Sequence, residues 1–343
     1  MEIGILGAAQ SGKSTLFQIM TGIDSRAVFG EPYVKGVAKI PDARFAKLVE
    51  IFKPAKISPA TIPFIDVNAS DKDAWAAIRQ NLSGVDGILH IIDAFTNDNA
   101  DELVKRYRTL EDELAFSDLV IIENKLSRVS KTPQKSLKPE EAVQAKILPK
   151  AKELLESGKP LREMSFSPDE IAALRSFSFW TQRPELVVLN VKEGSKGVAD
   201  LFNAKAKLMP PAIEICCQIE AEIAALPAAE QKDFLASMGI ETPAFEKIIR
   251  AAFSLLGKIC YFTVGEDEVK AWVVPAGSTA PKAASAIHKD FERGFIKAEV
   301  VSYEDFIACG GTLSSAKSSG KLRLEGKGYI VKDGDIISFR FNV

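Results

Sequence analysis

Eight residues near the N-terminus, Gly7-Ala8-Ala9-Gln10-Ser11-Gly12-Lys13-Ser14, carry the pattern G-x4-G-K-S. The apolar run Ile3 to Leu6 before them is of strand length, and Ser14 to Met20 after them has helical spacing that stops at Gly22. A strand, this loop and a helix in that order are typical of a phosphate-binding loop. The start of the chain therefore predicts a nucleotide-binding α/β domain.

The loop suits a triphosphate because of how its parts are spaced. Its backbone N–H groups would surround the β-phosphate, and the helix N-terminus adds the positive end of its dipole. Gly12 keeps side-chain atoms away from the phosphate, Lys13 would bridge the β- and γ-phosphates, and the Ser14 hydroxyl would bind Mg²⁺. The predicted phosphate-binding residues are Ala9, Gln10, Ser11, Gly12, Lys13, Ser14 and Thr15.

Further apolar runs of buried-strand length alternate with helix-like stretches. Thr61 to Val67 and Gly87 to Ile92 are separated by the helix-like stretch Asp71 to Leu82, and Leu186 to Leu189 and Ile213 to Cys217 follow much later. This alternation predicts a mainly parallel sheet that is covered on both faces.

A helical insertion interrupts these sheet segments from about Phe116 to Trp180. Glu140 to Leu155 and Pro168 to Trp180 have helical patterns, and two long helices folded back on each other would fit. Residues 124–162 contain ten basic and four acidic residues, a net +6 in a chain whose formal charge is −2. Such an arm attracts polyanions, although a solvated helix face is the other interpretation.

The C-terminal residues have a different pattern. Glu268 to Val274 alternates as a strand does, and Pro281 to Phe291 predicts a helix. Tyr329 to Val331 and Ile336 to Phe341 predict a hairpin closed by an Asp-Gly turn. Together they predict a compact α+β module with a helix across a mixed sheet.

Composition limits the compartment and the chemistry. The chain has 343 residues, of which 46% are hydrophobic and 26% are charged, and no apolar run approaches the ~18 residues of a membrane span. The N-terminus lacks a signal-peptide pattern, so a cytoplasmic location without membrane contact is expected. Both histidines, His90 and His288, are interpreted as structural. Reduced thiols are expected at Cys216, Cys217, Cys260 and Cys309.

Several segments resemble the Obg-like ATPases, the YchF family of P-loop proteins. The resemblance implies a GTPase-like P-loop domain at residues 1–115 and 181–258, a helical arm inserted at 116–180, and a β-grasp (TGS, ubiquitin-like) domain at 259–343. The resembling segments are Gly12-Lys13-Ser14-Thr15-Leu16-Phe17, Phe95-Thr96-Asn97-Asp98-Asn99, Leu189-Asn190-Val191-Lys192-Glu193, Ala276-Gly277-Ser278-Thr279-Ala280-Pro281, Ile287-His288-Lys289-Asp290-Phe291-Glu292-Arg293-Gly294-Phe295-Ile296 and Tyr329-Ile330-Val331-Lys332-Asp333-Gly334-Asp335.

The segment after Leu186 to Leu189 predicts which base is bound. GTP-binding proteins commonly carry N-K-x-D there, and its Asp accepts two hydrogen bonds from guanine. This chain has Asn190-Val191-Lys192-Glu193, and in the resembling family N-x-x-E accompanies a preference for ATP. Asn190, Val191 and Glu193 are therefore the predicted base-binding residues, with GTP as an alternative to ATP. A plain turn at the strand end, before Gly194, is the other interpretation.

Parts of the family's hydrolytic machinery have no counterpart in the sequence. No threonine lies between Gly22 and Ala60 to sense Mg²⁺ and the γ-phosphate, and Asp66-Val67-Asn68-Ala69 stands where D-x-x-G is usual. Asp66 would still hold Mg²⁺ through water, but no histidine follows Asn97-Asp98-Asn99 to orient the attacking water. Because phosphoryl transfer depends on positioning and charge stabilisation, these losses predict retained binding with slow or absent hydrolysis. No catalytic residue is assigned.

Three functions remain open at this point. The first is a ribosome-associated factor that binds ATP or GTP with Mg²⁺, in which the 124–162 arm and the TGS domain contact ribosomal RNA or protein. The second is a competent ATPase or GTPase switch whose hydrolysis is completed by a partner. The third is a scaffold that binds no nucleotide. The oligomeric state is not predicted.

Overall fold

In the computed structural model of the chain, the described residues are 1–28, 31–67, 78, 82–131, 133 and 136–342. For Ala228, Ala229 and Lys232 only the backbone is described. The chain forms two compact units: the first unit is Met1–Gly36 with Pro63–Ile248, and the second unit is Val37–Ile62 with Ile249–Val343. Residues 37–62 thus group with the C-terminal residues, while the three-domain division implied by the resemblance stays a prediction.

The strands are β1 (Ile3–Leu6), β2 (Tyr33–Lys39), β3 (Lys56–Ser58), β4 (Thr61–Val67), β5 (Gly87–Ala94), β6 (Glu185–Val191), β7 (Ile213–Ile215), β8 (Lys258–Thr263), β9 (Glu268–Pro275), β10 (Phe295–Ser302), β11 (Arg323–Glu325) and β12 (Asp335–Phe341). The α-helices of the described residues are α1 (Lys13–Thr21), α2 (Ala43–Phe52), α3 (Ala100–Val129), α4 (Pro139–Glu156), α5 (Pro168–Leu174), α6 (Val198–Ala206), α7 (Cys217–Ala225), α8 (Ala228–Ser237), α9 (Ala244–Leu255), α10 (Ala280–Ser285), α11 (Lys289–Arg293), α12 (Tyr303–Ala308) and α13 (Leu313–Ser318).

The first unit is built on a six-stranded sheet of order β2-β4-β1-β5-β6-β7. The pairs β1–β4, β1–β5, β5–β6 and β6–β7 are parallel, which confirms the predicted mainly parallel sheet. β5 and β6 are buried along nearly their whole length because both faces of the sheet are covered. Parallel strands end at a common edge, so the loop after β1 lies beside the ends of β4, β5 and β6.

The predicted helical arm is present and begins earlier than its sequence pattern indicates. α3 is one continuous helix of 30 residues that begins at Ala100, where the Asn99 side chain caps it. α4 packs on α3 around a shared core that includes Ile122, Ile147 and Leu148. The predicted helix from Pro168 to Trp180 is wrong beyond Leu174: a 3₁₀ turn, Arg175–Phe177, follows, and Ser178 ends it at φ 51°.

The second unit contains a mixed six-stranded sheet of order β11-β10-β12-β8-β9-β3. β12 with β8 and β3 with β9 are parallel pairs, whereas β8–β9, β10–β11 and β10–β12 are antiparallel. The predicted strand at 268–274 is confirmed as β9. The helix predicted from Pro281 to Phe291 is interrupted at residues 286–288 and forms α10 and α11 instead.

The predicted C-terminal hairpin is wrong, although the turn at its tip exists. Asp335 N donates to Lys332 O at 3.2 Å, so the chain does reverse there. The residues before the turn, however, lie beside 278–280: Ala280 N donates to Tyr329 O at 2.8 Å and Val331 N donates to Ser278 O at 2.9 Å. β12 pairs with β10 and β8 instead. A local turn signal identified the reversal but not the partner strand.

None of the helices of the described residues combines the length and the apolar character needed to cross a membrane.

Candidate nucleotide site

The glycine-rich loop adopts a backbone that two of its positions can reach only as glycine. Gly7 has φ 152° and Gly12 has φ 102°. A Cβ atom on Gly7 would lie 2.3 Å from Ile91 O, and one on Gly12 would lie 2.5 Å from Asn190 Nδ2. Gln10 also has a left-handed backbone, with φ 62°, without being glycine. The loop therefore packs tightly against β5 and β6.

The N-terminus of α1 is open to an anion. Its N-cap residue Gly12 has no side chain to accept from the first amides, and its first turn contains no acidic residue. By contrast, Asp42 caps α2 and Asn99 caps α3 through side-chain oxygens. The first backbone N–H groups of α1 are therefore left for a ligand, and the positive end of the helix dipole favours a negative one.

Lys13 holds its ammonium group against the loop. Nζ donates to Gly7 O at 3.0 Å and to Ala8 O at 2.7 Å. Burial lowers the pKa of Lys13, and the nearby carboxylate of Asp66 opposes that shift. An ammonium has three N–H donors, so one remains for a phosphate oxygen while the two carbonyl bonds fix its position.

Ser14 and Asp66 have the chemistry needed to hold Mg²⁺. Asp66 is fully buried at the end of β4, and its Oδ2 accepts from Ser25 Oγ at 2.6 Å. Its Oδ1 has no hydrogen-bond partner among the residues that the structure describes. A buried carboxylate oxygen of this kind fits a water ligand of Mg²⁺, which keeps several waters in most protein sites. The residues present are therefore compatible with the ion.

Ser25 is a site residue that the sequence pattern did not single out. The sequence has no threonine between Gly22 and Ala60, but a serine hydroxyl in that interval donates to Asp66. The other sequence departures, Asn68 and Ala69, and the predicted helix Asp71 to Leu82 apart from Ile78 and Leu82, lie outside the described residues.

The three predicted base-binding residues take different positions. Asn190 connects the loop to the start of α7: its Nδ2 donates to Ser11 O at 3.1 Å, and its Oδ1 accepts from Cys217 N at 3.1 Å. The Val191 side chain is buried in a core that also contains residues of α3 and α6. Glu193 is exposed. Their contacts with a base stay a prediction.

An aromatic ring beside this segment is a further candidate for contact with the base, and the sequence pattern did not single it out. β5 and β6 are in register at Ala94 and Val191, which brings Phe95 next to Lys192. Phe95 is 41% exposed, and Lys192 Nζ lies 5.8 Å from its ring centroid. An exposed ring at the edge of the sheet can stack on a base, whichever base it is.

A cavity of about 420 Å³ adjoins the first half of the loop. It is bounded by the loop, by β5 and by the exposed side of α3. Its lining residues include Gly7, Ala8, Ala9, His90, Asp93, Arg106, Thr109 and Glu113. Side chains of the described residues therefore leave a space beside the first residues of the loop.

Behind that cavity lies a buried network of charged groups. His90 Nδ1 is 3.0 Å from Glu185 Oε1, and Arg162 donates to Glu185 Oε2 at 2.6 Å and also to Glu111. Tyr107 donates to Glu185 Oε2 at 3.3 Å. Although burial alone would raise it, hydrogen bonding to His90 and the charge of Arg162 keep the pKa of Glu185 below its ordinary value. His90 is thus structural in its contacts, as interpreted from sequence, while it also borders the cavity.

Stability should fall with rising pH because of Glu111. Burial, with Glu185 as the second cause, raises the pKa of Glu111 from 4.5 to about 8. The folded chain therefore binds this proton more tightly than the unfolded chain does, and the stabilisation is lost between about pH 4.5 and 8, by at most about 1.4 kcal/mol per pH unit. Urea unfolding at several pH values should show this slope in the wild type and a smaller one in Glu111→Gln. Equal slopes would contradict the assignment.

Adding one methyl group at Gly12 should disrupt the site. In Gly12→Ala the new Cβ would displace the Asn190 amide and strain a left-handed backbone, so we expect roughly 1–3 kcal/mol of destabilisation and at least about tenfold weaker nucleotide binding. Gly22→Ala is the matched control, because Gly22 also has a positive φ, 74°, but no atom of the described residues lies within 4 Å of its Cβ position. Calorimetric titration of both variants checks this; equal affinities would count against the tight packing of the loop.

The similarity to known proteins extends over the whole chain. Residues 258–342 match the family model YchF-GTPase_C, described as "Protein of unknown function (DUF933)". The chain is 38% identical over 368 residues to Ribosome-binding ATPase YchF of Bacillus subtilis, with 100% of each chain covered. It is 39% identical over 366 residues to the Haemophilus influenzae protein of that name, covering 100% of this chain and 99% of that one.

The similarity to relatives outside bacteria also covers nearly the whole length of both chains. The chain is 32% identical over 372 residues to Obg-like ATPase 1 of Oryza sativa subsp. japonica, covering 100% of this chain and 92% of that one. The solved structure of the Schizosaccharomyces pombe YchF GTPase matches with a TM-score of 0.86 and 25% identity, covering 99% of this chain and 97% of the other. The resemblance seen in the sequence motifs is confirmed, and the chain belongs to the YchF family of Obg-like ATPases.

Proposed function

We propose that this chain binds Mg²⁺-ATP in the glycine-rich loop, with GTP as the weaker ligand, and turns it over slowly or not at all. The observation that carries the proposal is the uncapped N-terminus of α1, with the Lys13 ammonium fixed beside it by two carbonyl bonds. The names of three relatives, Ribosome-binding ATPase YchF, Obg-like ATPase 1 and YchF GTPase, support nucleotide binding.

In this proposal each part of the site has a defined role. The amides from Ala9 to Thr15 bind the phosphate oxygens, and Lys13 neutralises charge between the β- and γ-phosphates. Ser14 and Asp66 would hold Mg²⁺, which supplies further charge neutralisation at the phosphates. Asn190 fixes the loop against the segment that carries Glu193, where the base would lie against Phe95.

Slow hydrolysis follows from groups that the sequence lacks. The absent water-orienting histidine and switch threonine would each contribute on the order of 10²–10³ in rate. A single-turnover assay with Mg²⁺-ATP and Mg²⁺-GTP, compared with Lys13→Ala, tests this. A wild-type rate far above that of the variant would favour the competent switch instead. Binding of a fluorescent ATP analogue that survives Lys13→Ala, or no binding at all, would favour the scaffold.

We further propose that the basic arm contacts the ribosome. Two bacterial relatives carry "Ribosome-binding" in their names, which supports this partner for the present chain. The arm has lysines suited to phosphate contacts, because they are exposed and have no ion pair among the described residues: Lys131, Lys138, Lys146 and Lys150. Other basic groups of the arm are already engaged, since Lys125 pairs with Glu141 and Lys152 pairs with Glu123.

Reversing the charge of the free lysines tests the arm. In a variant with Lys138, Lys146 and Lys150 changed to Glu, co-sedimentation with ribosomes at low salt should weaken by at least about tenfold, and its dependence on log salt should become shallower by roughly one per lost phosphate contact. The control changes Lys105 and Lys207, which lie outside the arm, to Glu. Equal loss in both variants, or no loss in either, would refute a specific contact through the arm.

A further inference from the structure

One exposed face of α3 combines apolar and acidic side chains. Phe116 and Val120 lie one helical turn apart and are 66% and 40% exposed. Phe116 has the largest exposed fraction of the aromatic side chains that the structure describes. Single exposed apolar residues need no explanation, but two on adjacent turns of the same face form a patch. Residues at helical spacing extend this face in both directions, and we call it the α3 face: Thr109, Asp112, Glu113, Phe116, Val120 and Glu123.

The charge of the α3 face is negative around its apolar centre. Asp112 and Glu113 have no ion pair among the described residues, and Glu123 pairs with Lys152 at 2.8 Å. Two unpaired carboxylates beside an exposed aromatic ring repel the phosphates of nucleic acid and attract basic side chains. This sign is opposite to that of the free lysines on the arm.

The position of the α3 face connects it to the nucleotide site. Thr109 and Glu113 also line the cavity that adjoins Gly7, Ala8 and Ala9. From Thr109 to Glu123 the face runs for about 21 Å along the helix axis, at 1.5 Å per residue. That length corresponds to about four turns of an α-helix, enough to contact one peptide segment through apolar anchors.

We propose that the α3 face docks a protein segment rich in lysine or arginine, whose apolar side chains cover Phe116 and Val120. The segment's basic groups pair with Asp112 and Glu113. It belongs to a protein of the ribosome, so this inference rests on the proposed ribosome contact and adds a second, protein-binding surface to the phosphate-attracting lysines of residues 124–162. The area of one helix face is small, so the contact is weak by itself and acts together with the arm.

Site-specific photo-crosslinking tests the α3 face with the full chain and purified ribosomes. The variant Phe116→p-benzoylphenylalanine should crosslink to ribosomal protein, and the adduct should map to a basic segment. The matched control is Phe234→p-benzoylphenylalanine, which places the probe at another exposed aromatic position, 37% exposed, on α8. The companion variant Asp112→Lys/Glu113→Lys with Phe116 unchanged should lower ribosome affinity by about 3- to 10-fold.

The outcomes separate the two proposals. Co-sedimentation of the wild type, with a protein adduct at 116 that exceeds the adduct at 234, supports the inference. Co-sedimentation with an RNA adduct, no adduct, or equal adducts at the two positions overturns the inference and leaves the arm contact standing. Absence of co-sedimentation at low salt overturns both.

Discussion

Mg²⁺-ATP is expected to bind the Lys13→Ala variant about 10- to 150-fold more weakly than it binds the wild-type chain. The ammonium is already fixed by Gly7 O and Ala8 O, so it forms its phosphate bond without further ordering. A hydrogen bond to a charged group contributes about 1.5–3 kcal/mol, and each 1.4 kcal/mol corresponds to a tenfold change in affinity. Isothermal titration calorimetry of both proteins measures the ratio.

The fold should survive this change, which separates a loss of binding from a loss of structure. Lys207→Ala provides the control, because Lys207 lies at the end of α6, away from the loop. Thermal unfolding should give similar midpoints for all three proteins in the absence of nucleotide. An affinity of Lys13→Ala within about twofold of the wild type would mean that the loop does not hold the phosphates as described.

Arg162→Met is expected to lower the free energy of unfolding by about 3–5 kcal/mol at neutral pH. Arg162 is the cation that contacts the buried Glu185 carboxylate and the partly buried Glu111 carboxyl group, and its removal leaves the Glu185 charge without its guanidinium partner. The loss of stability should be large because the network links the arm to the sheet. The backbone N of Arg162 also donates to Thr181 O at 2.8 Å, where the chain leaves the arm and continues to β6. Urea unfolding measures the change.

Removing all the charges together should be much less harmful than removing one. In Arg162→Met/Glu111→Gln/Glu185→Gln no uncompensated charge remains, so most of the lost stability should return. If the triple variant is as unstable as Arg162→Met, packing of the Arg162 side chain rather than charge balance determines the effect. If Arg162→Met itself unfolds like the wild type, the network does not stabilise the arm.

Features of the fold that depend on local sequence were predicted well. The strand before Gly7 and the helix after Gly12 follow from short-range patterns, because the phosphate-binding loop is formed by consecutive residues. The buried strands β5 and β6 are recognisable as continuous apolar runs because both of their faces are covered. Asn190 lies at the end of such a run, in register with Asp93, while its contact with a base stays a prediction.

Features that depend on long-range pairing were not predictable in the same way. Ser25 bonds Asp66 across 41 residues, and Arg162 reaches Glu185 across 23, and neither pair leaves a spacing signal. The prediction of a C-terminal hairpin was wrong for the same reason, since the residues before Asp333-Gly334 pair with the distant residues 278–280. The early start of α3, by contrast, was not predicted although it has local signals: Asn99 is a helix-start residue, and Leu103, Tyr107 and Leu114 are buried at helical spacing.

The direct test of nucleotide binding is a calorimetric titration of the wild-type chain with ATP and with GTP, each with and without Mg²⁺. We expect one ATP per chain with Mg²⁺, a dissociation constant in the micromolar range, corresponding to about −8 kcal/mol, and weaker binding of GTP. Absence of measurable heat and of competition with a fluorescent analogue for both nucleotides, up to about millimolar concentration, would contradict the assignment of the loop as a triphosphate site.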